Sequence, residues 1–156
     1  DLAIFTINSE RYCFNERGEM QTGLQSLKQA DGSFASYYFG DDGVMRTGKQ
    51  TIYNDDLEEN QIWYFQTKGS LKGQGYHGER DNQVYVNGLL KKADPELRYE
   101  PVSTGEKRYL VNTSGTIQKA TSSSSSASRP ELGKGFKDIK DSNDTVWTVD
   151  TSGIIQ

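Results

Sequence analysis

His77 and Cys13 are the one histidine and the one cysteine in a chain of 156 residues, so imidazole or thiol catalysis has a single residue of each kind to use. A Ser-His-Asp triad would have to gather around His77, and a histidine-based metal site would have carboxylates alone beside it. His77 sits in the polar stretch Gly73-Gln74-Gly75-Tyr76-His77-Gly78, where a solvated loop histidine is the simpler reading. Cys13 occupies the middle of Tyr12-Cys13-Phe14, a place for a packed thiol rather than a nucleophile. A lone cysteine also excludes an internal disulfide and any multi-cysteine metal site. The acids form pairs, Asp41-Asp42 and Asp55-Asp56, in turn-like sequence. General acid work needs a carboxyl desolvated enough to raise its pKa, and nothing near these pairs supplies that. The run from Tyr53 to Gln61 reads as a lengthened, solvated hairpin loop, because a calcium loop needs alternating ligands around a turn glycine.

Two phosphate motifs match in letters only. Residues 73–78 spell a dinucleotide fingerprint, but no helical apolar period follows Gly78 to bring a helix N-terminus to a pyrophosphate. Gly43-Val44-Met45-Arg46-Thr47-Gly48-Lys49-Gln50 spells most of a P-loop, with Gln50 where Ser or Thr must reach magnesium. No catalytic residue, no metal ligand set and no cofactor emerges, and the reading is of a non-enzyme.

The elements that would carry any site are short. Hydrophobic residues make up 33% of the chain and mean hydropathy is -0.80, which excludes a large aliphatic globule. Nine Tyr, six Phe and two Trp, with 16 Gly, three Pro and a net charge of -4, describe an aromatic, turn-rich β protein rather than a disordered one. Lys and Arg (18) do not outnumber Asp and Glu (22), so there is no cationic surplus for nucleic acid. No stretch approaches the roughly 18 apolar residues of a membrane span. The opening Asp1-Leu2-Ala3-Ile4-Phe5 lacks a basic signal-peptide n-region, which fits either a cytosolic chain or the mature part of an exported one.

One pattern recurs: aromatic, any residue, apolar, then a polar turn closed by glycine. It reads Tyr12-Cys13-Phe14 with Gly18, Tyr37-Tyr38-Phe39 with Gly43, and Trp63-Tyr64-Phe65 with Gly69. Weaker copies are Val84-Tyr85-Val86 with Gly88, Tyr109-Leu110-Val111 with Gly115, and Trp147-Thr148-Val149 with Gly153. Partner segments such as Gly23-Leu24-Gln25-Ser26-Leu27 and Gly48-Lys49-Gln50-Thr51-Ile52 precede the triplets, so each copy predicts one β-hairpin and a glycine turn. A lone hairpin is marginal in water, and each must cover its apolar side with the next. The expected fold is all-β, a solenoid of about six stacked, partly degenerate β-hairpin repeats, with no helix longer than about two turns. The expected inner stripe is Phe14, Phe39, Phe65, Val86, Val111 and Val149. Composition divides the chain into an array over 1–119, a Ser-rich flexible insertion or linker over 120–131, and a final hairpin over 132–156.

The stretch from Tyr37 to Ile52, together with Glu19-Met20-Gln21-Thr22-Gly23-Leu24-Gln25 and Trp63-Tyr64-Phe65, resembles the cell-wall-binding repeat superfamily, the choline-binding and glucan-binding repeats of Gram-positive surface proteins. That resemblance implies a hairpin solenoid, export, and an extracellular place on a bacterial surface or cell wall. In the choline-binding branch, aromatics of neighbouring repeats cage a quaternary ammonium group. Where those repeats carry Gly-Trp, this chain has Ile4, Leu24, Lys49, Tyr76, Tyr99 and Phe136. An ammonium is held by the negative face of a ring, best by Trp, so cages walled by Leu24 or Lys49 are poor. The Gly-Leu-Gln and Gly-Lys-Gln forms sit closer to the glucan-binding branch, where rings stack on sugars.

The resemblance implies a non-catalytic module that attaches an exported protein to cell-wall or extracellular polysaccharide, either a glucan or a choline-bearing polymer. The ligand-contact rings it suggests are Tyr37, Trp63, Tyr76, Tyr99 and Tyr109, each of which could instead pack between repeats. The other reading is a structural or adhesive repeat spacer that has lost its ligand and meets a protein partner.

Overall fold

Alternating stretches of aromatic and β-branched residues, each ended by Asn, Asp or Gly, make strands and tight turns here. The computed structural model describes residues 1–156. Its strands are β1 (Ala3–Ile7), β2 (Glu10–Phe14), β3 (Met20–Gln21), β4 (Gly23–Lys28), β5 (Phe34–Phe39), β6 (Met45–Arg46), β7 (Gly48–Asn54), β8 (Glu59–Phe65), β9 (Gly78–Arg80), β10 (Gln83–Val86), β11 (Leu89–Leu90), β12 (Tyr99–Ser103), β13 (Arg108–Asn112), β14 (Lys137–Lys140) and β15 (Val146–Val149). A 3-10 turn at Pro130–Leu132 is the one helical element. The chain is all-β, built of small antiparallel sheets, and the strands expected around Tyr12, Tyr38, Tyr64, Tyr85, Tyr109 and Trp147 are all present. It divides into two compact units, residues 1–77 with 86–89, and residues 78–85 with 90–156.

Hairpins β1–β2, β4–β5, β7–β8, β9–β10, β12–β13 and β14–β15 are antiparallel neighbours in sequence. In most copies the chain then turns back, so that the last apolar residue of the hairpin pairs with a residue just past the glycine. The pairs are Phe14 with Met20, Phe39 with Met45, Val111 with Ile117 and Val149 with Ile155. The turn chemistry is local. Asn15 Oδ1 accepts the backbone N–H of Arg17 and Glu19 at 3.0 and 2.9 Å. Asn112 and Asp150 repeat this pair of bonds two and four residues on. The side chain thus stands in for a backbone turn, and the closing glycines adopt positive φ (77°, 86° and 85° at Gly18, Gly115 and Gly153).

At Gly43, Gly115 and Gly153 glycine is required for a second reason. A Cβ on Gly43 would collide with the Met20 sulfur, and one on Gly153 would collide with the Ile117 side chain and stand 2.9 Å from the Gln118 carbonyl oxygen. On Gly115 it would stand 3.2 Å from Leu90 Cδ1. In each case the apolar residue two places beyond one turn glycine lies on the glycine of the next turn. Copy three corrects the sequence reading. Gly69 was expected to close its turn, but a Cβ there would meet nothing within 4 Å, whereas Gly73 lies against Met45. Gln66 N–H bonds to Gln74 O and Gly73 N–H to Gln66 O, so four extra residues bulge outward and Gly73 takes the contact.

Of the expected inner stripe, Phe39, Phe65, Val111 and Val149 are at most 1% exposed. Phe14 and Val86 are half-buried. The first hairpin turns its Ile4–Cys13 pair inward, and Cys13 joins Leu27, Ala35, Tyr37 and Phe39 in one core while Phe14 lies against Phe5. In β10, Val84 and Tyr85 are both buried, so both faces of that strand are covered and alternation does not single out Val86. The second unit has a core of Leu110, Ile139 and Val149. The acidic run between Tyr53 and Gln61 puts Asp55, Asp56 and Glu58 in a four-residue loop over 55–58, closed by the pairs Tyr53–Asn60 and Asn54–Glu59.

The serine-rich stretch is tied by hydrogen bonds. Asp138 accepts from the Ser126 hydroxyl, from Thr148 Oγ1 at 3.0 Å and from Ser128 N–H at 2.9 Å, and Ser126 Oγ accepts Arg129 N–H at 2.9 Å. Composition favours mobility here, and one carboxylate accepts from several donors in and around the segment. These bonds, led by that from Ser126, hold the Asp138 carboxyl down at about 2, from 3.8.

Two outcomes follow. Gly18→Ala and Gly153→Ala meet the same positive-φ penalty, but only the second overpacks a stiff, buried isoleucine, so urea unfolding should show it about 1–3 kcal/mol less stable than the first. A carboxyl whose folded pKa is depressed contributes stability that is present above its unfolded value and lost as pH falls. Asp138→Asn should therefore lower stability near neutral pH and flatten the decline between about pH 4 and 2, read by thermal melts across that range.

Candidate binding surface

In the first unit, the strand alternation of β5 and β8 sets three rings in a row. Tyr38 stacks on Phe65 with centroids 6.1 Å apart and planes 17° apart, and Phe65 stacks on Trp63 at 6.0 Å and 2°. Phe65 is fully buried, while Tyr38 and Trp63 are half-buried and flank it. Tyr64, on the opposite face of β8, meets Tyr76 edge-on at 6.1 Å, and Tyr76 N–H bonds to Tyr64 O at 2.9 Å. Cross-strand register puts Leu24, 37% exposed, opposite Tyr38, and exposed Lys49 opposite Tyr64. Nearby, Arg46 Nη2 pairs with Asp42 Oδ1 at 3.0 Å, and Asp42 is held below the usual carboxylate range by the Val44 N–H and by this guanidinium. The surface thus offers half-covered ring faces, an aliphatic wall and a few polar groups. Rings in such a setting can stack on a sugar face or attract an alkylammonium.

Trp63 is wedged in place. Leu89 pairs with it across the strands, and a Cβ on Gly88 would stand 3.0 Å from both Trp63 Cε3 and the Gly75 Cα. Its indole N–H is buried and has no acceptor. A buried donor left unpaired costs about 1–3 kcal/mol.

The five rings named from sequence separate. Tyr37 and Tyr109 are each 7% exposed and belong to the core. Trp63 is half-buried in β8, and Tyr76 is half-buried in the segment that bonds to β8 through Tyr64 O. Tyr99 is half-buried in the second unit, with the Arg98 guanidinium 5.6 Å above its ring. Sequence reasoning missed Tyr38, although a signal existed: Tyr37 shares the strand face of Phe39, the expected core residue, which leaves Tyr38 outward. It also missed Trp147, whose Nε1 donates to Asp141 Oδ2 at 3.0 Å and whose ring lies under Arg108 at 6.0 Å.

The groups that could do acid, base or nucleophilic chemistry are scattered. Cys13 is fully buried, and burial pushes its thiol pKa up, away from the reactive thiolate. His77 Nδ1 accepts the Asn87 backbone N–H at 3.2 Å. No helix is long and apolar enough to cross a membrane.

An all-β chain of hairpins is the class that the fold defines, and a known structure shares that fold. CbpF solved in complex with ipratropium matches over 98% of this chain with a TM-score of 0.52 at 19% identity, and the chain spans 38% of that neighbour. At that identity the likeness is one of fold, and it is the fold of the choline-binding repeat proteins that the motifs resemble. CbpJ from Streptococcus pneumoniae matches with a TM-score of 0.40 at 18% identity, over 98% of this chain and 47% of that one. No family model matches the chain. A large tegument protein deneddylase of Murid herpesvirus 1 is 26% identical over 106 residues, 68% of this chain and 5% of the viral protein. So small a share of that protein transfers no activity.

Because Trp63 stacks through its ring while its N–H is orphaned, Trp63→Phe keeps the stack and removes the unpaired donor. It should unfold within about 1 kcal/mol of the parent in urea, well short of the roughly 3–5 kcal/mol of a large aromatic truncation.

Proposed function

We propose that the chain is a non-catalytic binding module whose hairpins, stacked as a solenoid, retain the exported protein they belong to on a cell-wall or extracellular polymer. The observation that carries this reading is the near-parallel row Tyr38–Phe65–Trp63, half open on a fold shared with CbpF. The recognised groups are sugar faces of a glucan or the ammonium of a choline-bearing polymer, and the place of action is the bacterial surface. A spacer that meets a protein partner is the second reading, favoured by the burial of Tyr37 and Tyr109 in the core.

Affinity follows from ring count. Two ring contacts at roughly 1–2 kcal/mol each give a few kcal/mol, and about 4 kcal/mol corresponds to a millimolar dissociation constant. Linked copies on one polymer raise apparent affinity by about 10² to 10⁴. Free choline or glucose should therefore bind at millimolar concentration or weaker by calorimetry, while the chain is retained on purified cell walls or dextran. Trp63→Leu should reduce that retention with its circular dichroism unchanged. Retention on no polymer would leave the spacer, and hydrolysis of the polymer by the chain would replace both readings with an enzyme.

A further inference from the structure

Two rings of the second unit carry a cation supplied by their own chain. Arg108 Cζ lies 6.0 Å from the centroid of Trp147, and Arg98 Cζ lies 5.6 Å from that of Tyr99. The Trp147 arrangement is built from several elements. Ile155 N–H bonds to the Arg108 carbonyl at 2.9 Å and fixes the start of β13, while pairing of Trp147 with Ile139 fixes β15. Asp141 Oδ2 takes the indole N–H at 3.0 Å, and its other oxygen takes the N–H groups of Asn143 and Thr145 at 2.8 and 3.0 Å. The indole bond first, and those backbone donors after it, hold the Asp141 carboxyl below its usual range. An anion accepting from the indole N–H polarises the ring and makes its face more negative, which strengthens its pull on a cation. Arg108 is itself exposed, so its guanidinium keeps water on one side and can leave the ring.

We infer that Arg108 is a built-in competitor: its guanidinium occupies the Trp147 face that an alkylammonium ligand would use, and it sets how strongly this part of the chain takes such ligands. The inference deepens the proposed ring-face binding and rests on that reading. Arg98 over Tyr99 is a second instance of the same device, which makes the pairing of ring and arginine a property of this unit rather than an accident of one side chain. A cation–π contact at an exposed site has a strength corresponding to roughly two- to fivefold in affinity, and removing the competitor should return about that factor to the ligand.

The test uses the full chain in a Trp63→Phe background, where Trp147 is the remaining indole, and tetramethylammonium chloride as probe against sodium chloride at equal ionic strength. Arg108→Met should alter Trp147 emission before any probe is added, and then show quenching by tetramethylammonium that saturates at roughly two- to fivefold lower concentration than in the Arg108 protein. Arg108→Lys, which keeps a cation, should stay near the Arg108 protein. Identical emission with and without Arg108 would overturn the occupancy. Altered emission with unchanged or absent quenching by the probe would overturn the competition. Polymer retention by the unmodified chain, measured beside either failure, shows whether the proposed module itself still stands.

Discussion

A turn glycine with positive φ is the point at which one hairpin receives an apolar side chain from the hairpin before it. Met20 reaches Gly43, Met45 reaches Gly73, Leu90 reaches Gly115 and Ile117 reaches Gly153. The same backbone atom therefore answers two demands at once: a left-handed conformation that closes the turn, and bare surface for the incoming residue. Neither a β-branched residue nor alanine meets both. The Asn and Asp side chains that open the turns are subordinate to this, since they place the glycine four positions past the last core residue of the strand.

The buried rings show what stability takes from the aromatic residues. Each hairpin has a small apolar face, and burying a Phe or Tyr on it is worth a few kcal/mol in a chain with few aliphatics. Tyr37, Tyr85, Tyr109, Phe39 and Phe65 are consumed in this way. The rings left at the surface include outward-facing Tyr38, half-buried Trp63 beside Phe65, the exposed Phe5, Phe34 and Tyr53, and rings such as Trp147 and Tyr99 that arginines cover.

Much of the fold was legible because its signal is local. An aromatic triplet and a glycine four residues on were enough to find the hairpins, since strand period and turn chemistry are both written within a dozen residues. Gly73 was not legible in place of Gly69, because which glycine closes the third turn is decided by Met45, 28 residues upstream of Gly73. Nor was the anchoring of Ser126 and Ser128, which depends on a carboxylate at Asp138 that composition cannot pair with them. For the candidate surface, Trp63 and Tyr76 could be found from the repeat alone, and Tyr38 could have been. The arginines over Tyr99 and Trp147 could not, since a guanidinium finds its ring through side-chain reach and carries no periodic mark.

The third turn also shows where such a chain can change length. Between Phe65 and Gly73 the chain leaves the regular path, adds four residues and returns with the glycine still against Met45. Lys68, Gly69, Ser70 and Leu71 lie at the exposed outside of that excursion. New sequence can therefore enter the array at a turn without disturbing the hairpins on either side, so long as a glycine comes back to the same contact. For an architect of repeat proteins this loop is a grafting position, where a foreign peptide could be displayed on a frame that its insertion does not unpack.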